Sequence, residues 1–207
     1  MKNYYNQIRH DALALLPAEF FPKTALDVGC GEGNTAAYLK EKFGAEVTGI
    51  EINAEAATIA RKKLDHLLQG PVEKAYELLK NHFDLILCLD VLEHLVDPWT
   101  VLKRLAGCLK PEGYLLISLP NIQNWRVLID LAFGRWDYTD SGLMDRTHLR
   151  FFTERTAKEM ISAASLRIVR FRRSMGSEIK LFNTLTLGLF RSFLTYHLYF
   201  LAQPAKQ

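Results

Sequence analysis

Along the chain, short apolar runs alternate with stretches whose apolar residues recur every three to four positions. Thr24 to Val28, Glu46 to Ile50 and Phe83 to Leu89 read as buried strands, the last apolar throughout except for Asp84. Asn34 to Phe43 reads as a helix, and Asn53 caps another that runs through Lys63. Strands this apolar, separated by helices, predict an α/β fold: a mostly parallel sheet covered on both faces. Residues 5 to 16 read as a leading helix ended by Pro17, and Leu67-Leu68 as a brief strand before Gly70-Pro71. Asp97-Pro98 opens a helix through Cys108, with proline where a missing N–H costs little. Lys110-Pro111-Glu112-Gly113 reads as a turn and Tyr114 to Leu119 as a strand. Thr153 caps a helix to about Ala164, and Leu166 to Arg172 and His197 to Ala202 are strands with a helix between them.

Ile122 to Arg150 breaks this rhythm, carrying Trp125, Trp136 and Tyr138 among polar residues as a helix plus a long loop. Loops of that length in compact domains are usually functional or disordered. Ordinary core packing is the alternative for Trp125, in pattern with Leu128 and Ile129. The division that follows is one domain over 1–207: a cofactor-binding core at 17–120, an acceptor-pocket insertion at 121–152, and C-terminal helices and strands at 153–207. With 207 residues and 49% hydrophobic content, one sizeable core is expected.

Charge adds little. There are 26 basic and 23 acidic residues, a net of +3, too few to imply a nucleic-acid partner. Arg167, Arg170, Arg172 and Arg173 cluster locally and read as a solvated strand face. Cys30, Cys88 and Cys108 are an odd set at unrelated spacings and residues 1 to 20 form no signal segment, so reduced thiols in a cytoplasmic protein are expected. No apolar run is long enough to span a bilayer. The tail from Leu181 to Leu201 comes closest, interrupted by Asn183, Arg191 and His197. Packing is its default reading; an interfacial helix and a partner surface, including that of a homodimer, are the alternatives.

Chemistry concentrates in Asp27-Val28-Gly29-Cys30-Gly31-Glu32-Gly33, at a strand-to-helix junction. Glycines there let backbone approach a ligand closely. Dinucleotide enzymes use a glycine turn too, but a pyrophosphate favours helix N-terminal amides without a carboxylate beside them. Asp27 instead suits a ligand carrying an ammonium and a sulfonium. Glu51, with Ile52 beside it, ends the second strand, where an acidic side chain accepts hydrogen bonds from ribose hydroxyls.

These elements, followed by Phe83 to Asp90 and Leu109-Lys110-Pro111-Glu112-Gly113-Tyr114, resemble the class I methyltransferases in order and spacing over residues 20 to 175. The resemblance implies a Rossmann-like sheet of seven strands, mostly parallel with one antiparallel strand, and S-adenosylmethionine as cofactor, leaving as S-adenosylhomocysteine. It places the methionyl end on Gly29 and Gly31, in the loop that also holds Cys30 and Gly33, and the ribose on Glu51. Gly70, Pro71 and Val72 would flank the adenine, and Leu89, Asp90 and Val91 the reactive centre. Pro71 departs from the acidic residue often found there, which leaves Glu73 or a backbone carbonyl to meet the adenine amino group.

Asp90-Val91-Leu92-Glu93-His94-Leu95 and the run from Gly134 to Thr153 resemble a bacterial subfamily associated with glycosyltransferases and polysaccharide genes. The leading expectation is O-methylation of a hydroxylated small molecule or a glycan- or lipid-linked intermediate; in a site without a metal, His94 or His148 is the natural general base, since imidazole titrates near working pH. The pattern Asp90-x-x-Glu93-His94 with a distant His148 is also similar to metal-binding patterns of small-RNA 2′-O-methyltransferases and ubiquinone-pathway O-methyltransferases. The alternative is a metal-free loop that Glu93 and His94 cap and orient. Tyr5 and Arg9 are positioned to close over the cofactor. The rival functions are a non-catalytic S-adenosylmethionine-binding partner of a glycosyltransferase and a dinucleotide oxidoreductase.

Overall fold

The computed structural model describes residues 7–75, 83–176, 179 and 183–205. Tyr5, the start of the expected leading helix and Leu181 of the apolar tail lie outside these residues. Seven strands form one sheet: β1 (Thr24–Val28), β2 (Glu46–Glu51), β3 (His66–Gln69), β4 (Phe83–Leu89), β5 (Leu109–Pro120), β6 (Leu166–Ser174) and β7 (His197–Pro204). Their order is β3-β2-β1-β4-β5-β7-β6. β7 runs antiparallel to both its neighbours and the remaining pairings are parallel. The expected mixed sheet with a single reversed strand is the one found.

Among the described residues, helices with set bounds are α1 (His10–Leu13), α2 (Asn34–Phe43), α3 (Ala54–Ala60), α4 (Val72–Ala75), α5 (Pro98–Gly107), α6 (Trp125–Ala132), α7 (Glu154–Ala163) and α8 (Arg191–Leu194). Caps written in the sequence set several boundaries. Asn53 accepts from Glu55 and Ala56 N–H, Asp97 from Thr100 N–H, and Thr153 forms a capping box with Thr156. Each central strand is apolar on both faces, so the sheet separates two cores. One holds Ile86, Cys88, Leu102, Ile117, Met160 and Phe200 under α5 and α7. The other holds Leu39, Leu85, Leu87, Leu116 and Tyr199 under α1 and α2.

Four expectations change. The leading helix contracts to His10–Leu13, and α3 stops at Ala60. Lys110 to Gly113 is not a turn between elements; it belongs to β5, with a register shift opposite Phe83 and Leu85. Gly113 is required there because a Cβ would stand 2.8 Å from the Phe83 carbonyl oxygen. The arginines of β6 are not a free solvated face. Arg170 donates to the Leu15 and Leu16 carbonyls, Arg172 to that of Asp11, Arg173 to Glu154 and Arg167 to Gln203. Arg170 and Arg172 pin the segment before β1 against the sheet.

The polar residue in β4 is a strand-start clamp. Asp84 accepts from the Lys23 and Thr24 N–H groups, each at 2.9 Å, and pairs with Lys110 at 2.9 Å. Burial alone would raise its pKa, but Lys110 and these donors hold it below the ordinary carboxylate value. Its stabilisation is therefore present above that value and fades as pH falls through the depressed pKa. Asp84→Ala leaves two backbone donors unmatched and is expected to lower the unfolding free energy by about 1–3 kcal/mol, read from the urea midpoint at pH 7.

Candidate active site

The parallel strands end at one edge of the sheet, and the residues singled out from the sequence gather there. Gly29, Gly31 and Gly33 all have positive φ (66°, 56° and 77°), a conformation closed to most side chains. At Gly29 a Cβ would also stand 2.6 Å from Val91 Cγ2, so the turn after β1 and the turn after β4 touch. Glu51 is buried and ties this loop to β2: its carboxylate accepts from Gly31 N–H at 2.8 Å and Asn53 N–H at 2.7 Å. Glu51 thus shapes the glycine turn directly, a role its spacing alone did not reveal. Gly70 N–H donates to the Glu51 carbonyl, which brings Gly70-Pro71 alongside, while Val72 turns its side chain into the core and Ile52 faces solvent. The Cys30 thiol is buried and held protonated, its pKa raised by burial and then by Asp27 and Glu51.

Asp27 is fully enclosed beside Glu51. Burial first, and then the charge of Glu51, push its pKa up to about 7. This buried acid fits the cationic methionyl end of S-adenosylmethionine, the group that the class of loop implies.

Asp90 lies on the same face at φ +56°, in the left-handed region. Ser118 donates to it at 2.5 Å and Arg9 at 2.7 Å, and His197 Nε2 stands 3.3 Å away. Burial by itself would raise the Asp90 pKa; His197, Arg9 and Ser118 outweigh it and hold the carboxylate well below its ordinary range. Arg9 N–H also donates to Thr35 Oγ1 at the start of α2, and Thr35 Oγ1 to the Gln7 carbonyl. Residues 7–13 therefore cross the mouth of the glycine loop, as Arg9's position suggested. His197 was legible only as an interruption of the apolar tail. Its register opposite Pro120, which puts it at this edge, requires the antiparallel pairing of β7.

A second cluster forms on the 3-10 turn after β4. The Glu93 carbonyl accepts from Leu149 and Arg150 N–H, drawing the end of the 121–152 insertion against that turn. His94 and His148 then meet edge to face with ring centroids 4.8 Å apart. His94 Nδ1 approaches Thr147, and His148 Nδ1 the Leu143 carbonyl. Ligand atoms of Glu93, His94 and His148 lie within 4.8 Å of one another. Glu93 is fully buried, with Oε2 unpartnered, and its pKa is raised by burial and then by Asp90. Asp90 does not join this group; its carboxylate is turned to Arg9, Ser118 and His197. Phe151 continues the cluster, edge on to both Trp136 and His148, and lines a cleft of about 380 Å³ with Trp99, Phe152 and Met160.

A family described as a methyltransferase domain matches residues 2–170, and the chain belongs to it. By fold, glycine loop and family this is a methyltransferase domain of the S-adenosylmethionine-dependent class. Among its relatives, the ubiquinone biosynthesis O-methyltransferase of Serratia proteamaculans is 34% identical over 125 residues, 56% of this chain and 50% of that protein. Its counterpart in Photobacterium profundum is 37% identical over 108 residues, 49% of this chain and 45% of that protein. The chain spans about half the length of these curated relatives. A SAM-dependent methyltransferase from Archaeoglobus fulgidus superposes with a TM-score of 0.65 at 20% identity, covering 87% of this chain and 86% of that one. The 1,6-didemethyltoxoflavin-N1-methyltransferase of Burkholderia thailandensis, bound to S-adenosylhomocysteine, gives 0.64 at 22% identity, covering 95% and 78%. These two likenesses establish the fold. Among the described residues no helix is long and apolar enough to cross a membrane.

The Asp27 pKa carries a sign that can be checked. A cationic ligand favours the ionised acid, so cofactor affinity should rise with pH through about 7, and Asp27→Asn should weaken binding and flatten that dependence. In the ligand-free protein the folded state holds this proton more tightly than the unfolded chain. Stability is consequently lost as pH rises from the unfolded value toward 7, and Asp27→Asn should melt higher than the parent at pH 8 but not at pH 4.

Proposed function

We propose that this enzyme methylates a hydroxyl oxygen of a small molecule or a glycan- or lipid-linked intermediate, in a cytoplasmic setting. The observation that carries the reading is the meeting of His94 and His148 on the turn directly after β4, beside Asp90 and Val91. The curated O-methyltransferase relatives support it. In this reading residues 17–120 bind the cofactor, residues 121–152 cover the acceptor and residues 153–207 complete the sheet. Gly29, Cys30, Gly31 and Gly33 cradle the methionyl end with Asp27 beneath it. Glu51 and Ile52 meet the ribose, Gly70, Pro71 and Val72 the adenine, and Leu89, Asp90 and Val91 flank the reacting centre. The bound cofactor supplies an electrophilic methyl group on sulfur. The chain's part is to orient the acceptor oxygen in line with that methyl and to take its proton.

His148 is suited to accept that proton. Burial, and then the neighbouring His94, lower its pKa below the ordinary 6.5, so it is neutral at pH 7. Trp136 and Phe151 offer flat apolar walls for a ring-bearing acceptor.

A second reading of the same cluster rests on the unpartnered, buried Glu93 Oε2. With His94 and His148 it forms a donor set of one carboxylate and two imidazoles that suits a divalent cation. Such an ion would supply Lewis acidity toward the acceptor hydroxyl. Assays on a panel of hydroxylated acceptors distinguish the two. If His148 is the base, His148→Ala lowers kcat by about 10²–10⁴-fold with S-adenosylhomocysteine affinity unchanged, and activity survives chelation. If a cation is held, chelation abolishes turnover, and calorimetric Mn²⁺ binding by the parent is absent in Glu93→Gln. A mild effect of His148→Ala in chelated enzyme would refute the base role.

A further inference from the structure

The apolar stretch between β6 and β7 has no part in the chemistry above, and packing, its expected fate, accounts for Leu194 and for β7. Residues 183–193 face outward: Leu187 is 96% exposed, Leu185 74% and Leu189 77%, with Phe190 and Phe193 also exposed. Leu187 sits at φ +51° and Gly188 at +74°, a tight turn that holds the leucine at its apex. A non-glycine residue there costs about 1 kcal/mol, and no burial on this chain offsets that strain.

A second apolar surface stands beside it. The Asn121 amide donates to the Ser192 and Thr195 carbonyls and the Asn124 amide to that of Thr195, which joins the N-terminus of α6 to α8. On α6, Val127 packs inward while Leu128, Ile129 and Leu131 are exposed. Exposed apolar residues on two elements joined in this way mark a surface with a partner.

The flanking chemistry identifies the partner. Residues 183–193 contain no Asp or Glu and carry Arg191 at their edge. At the start of α6 the Arg126 guanidinium lies over the Trp125 ring at 5.5 Å; after α6 that of Arg135 lies over Phe133 at 5.7 Å and is already paired with Asp130 at 2.5 Å, which leaves Arg126 and Arg191 as the cations open to a phosphate. Arginine stacked on half-exposed aromatics, around a protruding apolar turn, matches the layering of a bilayer interface, with acyl chains below and phosphates above. A convex leucine tip enters a fluid apolar phase without needing a preformed groove.

We propose that residues 183–193 and the outer face of α6 seat this protein on an anionic phospholipid surface. The contact is peripheral and goes beyond the methyl-transfer reading, on which it does not depend. The test is flotation of the purified full chain with vesicles of phosphatidylcholine alone and with one quarter phosphatidylglycerol. Binding to the anionic vesicles is expected, falling with added salt and falling about tenfold or more in Leu187→Asp/Leu189→Asp. Arg126→Glu should weaken it without touching the apolar tip. Unchanged thermal melting and S-adenosylhomocysteine binding show that each variant is folded. Failure of the parent to float with anionic vesicles, or equal binding by the folded double variant, overturns the proposal. So does a parent dimer in light scattering that the double variant converts to monomer, because a second copy would then cover the patch.

Discussion

A buried carboxylate without counter-charge costs several kcal/mol, and Asp90 sits under that constraint at the junction of four distant segments. Arg9 reaches it from before β1, Ser118 from β5 and His197 from β7. Removing any of these would leave the charge less satisfied, so the segment over the glycine loop and the reversed strand are tied to the end of β4 by one group. Arg170 and Arg172 of β6 serve the same end from the outside by gripping the backbone at Asp11, Leu15 and Leu16. What the chain organises around its cofactor face is an electrostatic closure as much as a hydrophobic one.

Four acids, Asp27, Glu51, Asp90 and Glu93, are buried at this edge, and their environments divide the labour. Glu51 is spent on loop amides and Asp90 on Arg9, Ser118 and His197. Asp27 and Glu93 are left proton-hungry, their pKa values raised by burial and by the acid next to each. A cationic ligand entering such a site displaces a proton from these acids and has no protein cation to displace. That is the complement expected of a sulfonium and of a positively charged site occupant in general, and the reverse of what a pyrophosphate demands.

Much of this was legible in the sequence because local signals agreed with global ones. Apolar strands, the caps at Asn53, Asp97 and Thr153, and the glycine turn each specify their geometry within a few residues. The losses share a cause. Lys110 to Gly113 carries turn residues, yet pairing with β4 overrides them. The β6 arginines and His197 acquire partners only through strand pairings that no local pattern encodes. The apolar tail looks identical in sequence whether it faces a core or the outside, and the structure divides it between the two. Glu51 was found for its position at a strand end, while its hold on Gly31 emerged only from the fold.

The placement of β7 between β5 and β6 has a consequence for how the protein is made. β6 pairs with β7 alone, and the apolar edge of β5 has β7 as its outer neighbour. During synthesis β6 therefore leaves the ribosome before the strand that receives it exists, and β5 waits with an open, sticky edge. Since β7 also delivers His197, the nascent chain can assemble its glycine loop early but completes the reactive end only when β7 inserts. The interval between those events is the time in which this chain is most exposed to misassociation.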